Sequence, residues 1–183
     1  MDDGEEGGDE MVVGTEPVVR GAVLREPAHR VSPQAIPFWR VSALIGDVVL
    51  VVAVVVAYVV IPDVPGWTLL LVLLVAAAAV AHVVLMPQIR YRVHRWEVTD
   101  TAVHTRSGWI GRETRIAPIS RVQTVDSRQG ALMRLFGLAS ITVTTASAAG
   151  PITVDCLDAD TAREVVAQLT AITAATTDQD DAT

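Results

Sequence analysis

Two long apolar runs dominate the pattern of hydrophobic and polar positions along the chain. They are Val41 to Ile61 and Trp67 to Met86, each of about twenty residues, and the segment Pro62 to Gly66 separates them. At a helical rise of about 1.5 Å per residue each run is about 30 Å long, the thickness of the hydrocarbon core of a bilayer. Two such runs need a far larger soluble core than this chain can wrap around them. The pattern therefore predicts a hairpin of two membrane-spanning helices.

The short connection makes the two helices antiparallel, so both chain ends lie on one side of the membrane. The flanking arginines are Arg25, Arg30 and Arg40 before the first run and Arg90, Arg92 and Arg95 after the second. The connecting segment has no basic residue. Since basic residues favour the cytoplasmic side, we expect both termini in the cytoplasm.

Two ionisable residues interrupt the apolar runs. Asp47 lies six residues inside the first run and His82 four residues inside the second, counted from the cytoplasmic ends, so they share a similar depth. An aspartate at the helix centre costs roughly 2.5–3.5 kcal/mol, which the many branched apolar residues outweigh. The two residues form a candidate intramembrane polar pair with a function, since ionisable residues inside a span are often functional. The alternatives are a structural hydrogen bond between the helices, or an aspartate that reaches the headgroup layer.

After the second run the pattern changes to short alternating runs, which are typical of a sheet with one solvated face. The predicted strands are Arg92 to Val98, Ala102 to Arg106, Glu113 to Ala117, Val122 to Asp126, Ile141 to Thr145 and Ile152 to Cys156. A short helical segment, Ala131 to Phe136, is expected between Gly130 and Gly137. Apolar residues from Ala162 to Ile172 fall at helical spacing, so one amphipathic helix ends the folded part.

These patterns divide the chain into four segments. Residues 1–37 are expected to be a disordered acidic segment and linker, because the first forty residues contain eight acidic residues and only four arginines. Residues 38–89 form the transmembrane hairpin, residues 90–175 a folded domain, and residues 176–183 a disordered acidic tail.

Three sequence blocks in the folded domain carry a resemblance to a known family. They are Trp96 to Thr99 leading to Arg106 to Ile110, Ile116 to Val125, and Gln129-Gly130 with Arg134 to Thr145. With the preceding hairpin, residues Val41 to Ile172 resemble the YdbS-like bacterial membrane proteins, which carry the second type of bacterial pleckstrin-homology domain.

The resemblance implies an α+β membrane protein in which the transmembrane hairpin is followed by a pleckstrin-homology-like antiparallel β-barrel or sandwich with a C-terminal capping helix. It also implies a location at the inner membrane of a bacterial cell and no known catalytic residues. Related folds bind phosphoinositides through basic residues around their first hairpin. That site is not carried over, because the turn Thr99 to Thr101 holds an acid and no arginine.

Charge changes this picture more than overall composition does. The 183 residues carry a formal net charge of −7, but residues 90–134 hold nine arginines against four acidic residues, a local net of +5. Beside a bilayer, anionic lipids attract such residues by about 1 kcal/mol each. The candidate lipid- or partner-binding residues are Arg90, Arg92, Arg95, Arg112, Arg115, Arg121, Arg128, Arg134, Trp109 and Ile110. The alternatives are that the first three arginines only fix topology, that the other arginines form a solvated strand face, and that Trp109 and Ile110 pack over the mouth of the barrel.

The sequence contains no catalytic motif, so no enzyme activity and no cofactor are expected. His94 and His104 are predicted in neighbouring strands that direct them to opposite faces, so no metal site is expected either. The single cysteine, Cys156, excludes a disulfide within one chain.

The leading hypothesis is a non-enzymatic, membrane-anchored pleckstrin-homology-like interaction or scaffold module. Its expected partners are the lipid bilayer and another membrane protein or a second copy of the chain, and no nucleic acid. One alternative is a sensor of anionic lipid headgroups that uses the same arginines. Another is an accessory subunit of a transporter or membrane enzyme that uses Asp47 and His82.

Overall fold

A computed structural model describes residues 26–147 and 150–180, with side chains described as far as residue 174. Its elements are β1 His29–Arg30, α1 Ala35–Val60, α2 Thr68–Val93, β2 Arg95–Val98, β3 Ala102–Gly108, β4 Arg112–Pro118, a 3₁₀ turn Ile119–Arg121, β5 Val122–Arg128, α3 Ala131–Leu135, β6 Leu138–Thr145, β7 Ile152–Asp158 and α4 Ala159–Asp180. The disorder expected for residues 1–25 and 181–183 falls outside the described residues.

The two long helices form an antiparallel hairpin. Asp47 on α1 contacts His82 on α2, and Trp39 on α1 contacts Arg90 on α2. The two contacts are eight residues apart on each helix, but in opposite directions along the chain. Only 6% of the most apolar window of each helix is buried. A core helix of a soluble protein would be mostly buried, so these helices have lipid as their surroundings. We refer to α1 and α2 as the spans.

Both helices extend beyond the expected limits of 41–61 and 67–86 at the ends next to the head. Helix α1 begins at Ala35, because Pro37 falls in its first turn, where a missing N–H costs no hydrogen bond. Helix α2 continues through the buried Pro87 to Val93, since transmembrane helices tolerate proline where neighbouring groups compensate. Arg90 and Arg92 are therefore helical, and the first long strand starts at Arg95 rather than at Arg92.

Strands β2 to β7, which follow the spans, and β1, which precedes them, form two antiparallel sheets, ordered β1-β2-β3-β4 and β5-β6-β7. In the described residues no ladder joins the two sheets, so the architecture is a sandwich and not the closed barrel that the resemblance left open. Its core includes buried residues of β6 and α4, among them Leu138, Ile141 and Leu169. Helix α4 packs on all three strands of the second sheet. We call β1 together with β2 to α4 the head.

The segment before α1 is ordered, which corrects the expectation of an irregular linker up to residue 37. Strand β1 pairs with β2, and Ser32 then reaches the other sheet. Its backbone N–H donates to the carbonyl of Cys156 at 2.9 Å, and its hydroxyl donates to Oδ1 of Asp158 at 2.6 Å. Residues 28–32 therefore connect the edges of both sheets before the chain enters α1.

The C-terminal helix also departs from the expected boundary. Helix α4 continues to Asp180, although a disordered tail was expected from residue 176. This stretch contains neither glycine nor proline, so nothing in it interrupts helical geometry.

Candidate functional site

The spans and the head share one hydrophobic core. Ala35, Trp39 and Ala43 of α1 are buried in the same cluster as Trp96 of β2 and Leu138 of β6. Trp39 is 2% exposed. The head is therefore packed directly on the ends of the spans, and its orientation to them is fixed by side-chain contacts.

Arg90 lies at the centre of this junction. Its guanidinium lies 4.7 Å from the centre of the Trp39 ring, its Nε donates to Nε2 of His94 at 3.3 Å, and its Nη2 is 4.0 Å from Oδ2 of Asp155. Of the candidate binding arginines, Arg90 is thus engaged within the protein. Its contacts join α2 to the second sheet.

The hydrogen bonds of His94 define its protonation. Nδ1 lies 2.8 Å from the carbonyl of Arg90 and therefore donates, so Nε2 accepts from Arg90 as a neutral imidazole does. Burial, together with the positive charge of Arg90, lowers the pKa of His94. The ring also packs against Trp39, at 5.2 Å between ring centres. His94 is a structural part of the junction.

The same junction contains the only cysteine. Cys156 sits in a β-bulge opposite Ser140, with a φ of 58°. Burial, with the nearby charge of Asp155, raises the pKa of its thiol to about 12. Since the thiolate is the reactive form, this cysteine is chemically inert at neutral pH.

The structure brings the two intramembrane residues together. Nδ1 of His82 is 2.8 Å from Oδ2 of Asp47, and the Asp47 side chain is 16% exposed. The ring of Trp109, from the turn between β3 and β4, lies 5.6 Å from the His82 ring. A head residue therefore covers a polar contact between the spans.

The turn that carries Trp109 has a demanding backbone. Gly108 has a φ of +127°, and a Cβ at this position would lie 1.8 Å from the carbonyl oxygen of Gly111. Next to Trp109, Ile110 is 82% exposed. Since the ring of Trp109 reaches that of His82, the turn lies against α2.

Three arginines form a row across adjacent strands of the first sheet. The register pairs Arg30 with Arg95 and Arg95 with Arg106. Like charges directly opposite each other are destabilising in a sheet. Glu26 offsets this, because its carboxylate forms an ion pair with Arg106 and lies 3.8 Å from Nε of Arg95.

The positive charge of this row of arginines affects the pKa of Glu26. The hydrogen bond and the charge of Arg106 lower the pKa of Glu26, with smaller contributions from Arg95 and Arg112. Next to it, the backbone N–H of Ala28 donates to Glu97 at 3.2 Å. Residues 26–28 therefore lie along the face of the sheet that carries the arginines.

The remaining candidate arginines lie on several elements. Arg115 contacts Oε1 of Glu113 at 2.6 Å and donates to the carbonyl of Pro151 at 3.0 Å, which links β4 to the start of β7. The candidates with exposed side chains are Arg92, Arg112, Arg121, Arg128 and Arg134. They are distributed over both sheets, α2, α3 and the 3₁₀ turn.

Several residues of this region were not predicted from the sequence. Glu26 falls in the segment expected to be disordered. Arg106 was not a candidate residue, because its position opposite Arg95 depends on the register of β2 and β3. Trp39 lies just before the first apolar run, and no pattern in the sequence places it in the core of the head. The alternation of Arg95, Glu97, His104 and Arg106 on one face was the available signal, but it required a known register.

Within the described ranges, no group of three or more His, Cys, Asp or Glu side chains could hold a metal ion. The prediction that His94 and His104 lie in neighbouring strands is wrong, because His94 follows α2 directly and is not in a strand. His104 lies in β3, opposite Glu97.

Comparison with known proteins finds relatives of the part of the chain that contains the spans and the head. The model of the Bacterial PH domain family matches residues 40–173. The UPF0699 transmembrane protein YdbS of Bacillus subtilis (strain 168) is 27% identical over 153 residues, which cover 81% of this chain and 96% of that protein. No solved structure matches the chain. These matches confirm the resemblance stated from the sequence blocks.

Proposed function

This chain belongs to the bacterial PH domain family, and we propose that it is a non-enzymatic interaction module that holds a partner protein beside the membrane. The observation that carries the proposal is the shared core of spans and head. A head on a flexible tether would present all its faces in turn. Here Trp39, Ala35 and Ala43 fix it, so the same surfaces always face the bilayer and the same surfaces face away.

Strand β4 is the surface that best suits a partner. It lies at the edge of the first sheet, and most of its residues are exposed. Edge strands accept an additional strand from another chain, with side-chain pockets providing specificity. A cavity of about 330 Å³ adjoins this edge and is lined by Ile116, Arg121 and Thr145 among others. The exposed Arg112 and Arg121 favour an acidic partner.

Photo-crosslinking in intact cells tests this role. A crosslinking amino acid at Thr114 or Ile116 of β4 should give a discrete adduct that mass spectrometry identifies. The same amino acid at Thr170, an exposed position on α4, is the matched control. Adducts of equal yield from both elements, or none from β4, would contradict the proposal. An adduct containing the chain's own peptides would identify the partner as a second copy.

We also propose a multi-pass topology in the inner membrane with both termini in the cytoplasm. The arginines at the head end of the spans, including the exposed Arg40 and Arg92, support this orientation. A cysteine at Asp63 should react with a membrane-impermeant maleimide added to spheroplasts, and one at Asp126 only after lysis. The native Cys156 gives little background, because it is buried. The reverse labelling would refute the orientation.

For Asp47 and His82 we propose a structural role. Their polar atoms satisfy each other across the hairpin, and Trp109 covers the imidazole. This arrangement supports a hydrogen bond that fixes the two spans in register. It gives less support to an accessory role in transport, which would place the pair in contact with another subunit.

A further inference from the structure

We propose that the acidic start of the chain, residues 2–16, docks on the arginines along strand β4 and competes there with an acidic partner. Docking gives the partner site at this edge an internal competitor. The competition rests on the proposed partner-binding role, whereas the docking itself does not depend on it.

The contacts of the first described residues lead across the first sheet towards β4. Traced backwards from β1, the carbonyl of Pro27 accepts a hydrogen bond at 3.4 Å from Nη1 of Arg95 on β2. One residue earlier, the carboxylate of Glu26 forms an ion pair with Arg106 on β3. The next strand of the sheet is β4. The pKa of Glu26 is lowered first by Arg106 and also by Arg112 of β4, so Arg112 lies near the same carboxylate. The chain before Glu26 therefore starts beside β4.

The charges of the segment and of the surface are complementary. Residues 1–16 contain seven acidic residues and no basic residue. At the edge of the first sheet, Arg112 and Arg121 are exposed, and within the described part of the chain neither of them forms an ion pair. A single exposed ion pair contributes little, but several charges that act together attract an oppositely charged segment. The start of the chain thus carries the counter-charge for this edge.

The connecting residues are long enough for the acidic run to reach the whole edge. Residues 17–25 separate it from Glu26, and nine extended residues span at most about 30 Å. Strand β4, Arg112–Pro118, has seven residues and is about 24 Å long. Because segment and surface belong to one chain, a short connection gives an effective concentration of the order of 1 mM. Individually weak contacts are therefore sufficient for docking.

Pulsed electron paramagnetic resonance on the full-length protein in mild detergent tests the docking. Spin labels at Gly8→Cys and Thr114→Cys, diluted with unlabelled protein, measure distances within one chain. Thr114 lies on β4 opposite Arg106, and the native Cys156 is buried and stays unlabelled. We expect a short, narrow distance component for this pair that is absent when Gly8→Cys is combined with Thr170→Cys on α4. Equal distance distributions for the two pairs would overturn the proposal.

Charge changes in the segment test the cause of docking. Changing the seven acidic residues of residues 2–16 to their amides should abolish the short-distance component. Changing the three aspartates of residues 176–183 to asparagine should leave it unchanged. Salt at about 1 M should also remove the component, because the Debye length falls to about 3 Å. A component that survives in the amide variant would refute the role of charge.

Matched arginine variants locate the surface. The double variant Arg112→Gln with Arg121→Gln should lose the short-distance component. The double variant Arg128→Gln with Arg134→Gln removes the same charge from exposed arginines on β5 and α3 and should keep it. All four side chains are exposed, so neither variant opens the core. Loss in both double variants, or in neither, would refute docking at β4.

A fluorescent peptide with the sequence of residues 1–16 serves as the acidic probe for the competition. It should bind the full-length amide variant at least about ten times more tightly than wild type, whose site is already occupied. Equal affinities would refute the competition. In the crosslinking experiment at β4, an adduct with residues 2–16 at unchanged chain mass would support docking, whereas a second copy doubles the mass. If no partner adduct forms while the short-distance component is present, the partner role fails and the docking stands.

Discussion

The end of the head that faces the spans and the end that points away from them are held by different contacts. At the near end, Trp39, Arg90 and His94 interlock, and Trp109 reaches His82. At the far end, the turn Thr99 to Thr101 is closed by hydrogen bonds within the head: the N–H of Thr99 donates to Ala102 at 3.0 Å, and that of Ile119 to Thr101 at 2.9 Å. The near end thus depends on the spans for its structure, whereas the far end is closed by contacts of the head alone.

The largest effect is expected at Trp39, where a span supplies part of the head core. Trp39→Ala should lower the free energy of unfolding by about 3–5 kcal/mol, because it empties a buried site. Trp67→Ala removes the same kind of side chain from an exposed position at the other end of the spans and should change the free energy of unfolding little. Thermal unfolding of the full-length protein in mild detergent would measure both. Equal stability of the two variants would mean that the near end does not depend on the spans.

A smaller loss is expected at the turn that carries Trp109. Gly108→Ala should cost about 2–3 kcal/mol, because the new methyl group meets the Gly111 carbonyl and the positive φ is unfavourable. Gly111→Ala has open space and should be close to neutral. The same unfolding experiment compares them. Near-equal unfolding temperatures would show that this turn does not hold the near end.

The contact between the spans is expected to contribute less. Asp47→Leu leaves His82 without its partner and should destabilise the protein by about 1 kcal/mol, the size of a typical hydrogen bond within a membrane. Asp47→Asn keeps an oxygen at the same position and should lose less. Unfolding in detergent distinguishes the two variants. A leucine variant as stable as wild type would exclude a structural role for the pair.

The smallest effect is a pH dependence that arises at His94. Its pKa is lowered in the folded protein, so the unfolded state binds more protons just below the ordinary value of 6.5. Stability from this residue is therefore present above about pH 6.5 and declines as the pH falls towards the folded-state pKa. His94→Gln should flatten the fall in unfolding temperature between about pH 7 and 5, and His104→Gln is the control. An unchanged slope in His94→Gln would rule out this contribution.

Much of the fold follows from local patterns in the sequence. The spans are long apolar runs, the strands and the C-terminal helix have clear periodicities, and Gly137, which ends the short helical segment, is left-handed with a φ of 64°. The similar depth of Asp47 and His82 followed from counting along an antiparallel hairpin. In these cases the forces act between residues that are close in sequence, or in elements whose relation was already known.

The other features depend on contacts between distant parts of the chain. Strand β1 has only two residues and no apolar alternation, and its partner β2 lies more than sixty residues away. The contact of Trp109 with His82 depends on how the head sits on the spans, which no local pattern specifies. The Arg95–Arg106 pair required the exact register of two strands. The sequence shows that both residues are charged, but not that they lie opposite each other.

The burial of Trp39 and Ala35 in the head links membrane insertion to folding. Both residues lie in the first two turns of α1, and both must end on the same side of the bilayer as β6 and α4. A chain in which only one of the two helices had crossed the membrane would leave them on the side opposite the head, and the sandwich would lack part of its core. Complete folding of the head therefore requires that both helices have crossed the bilayer.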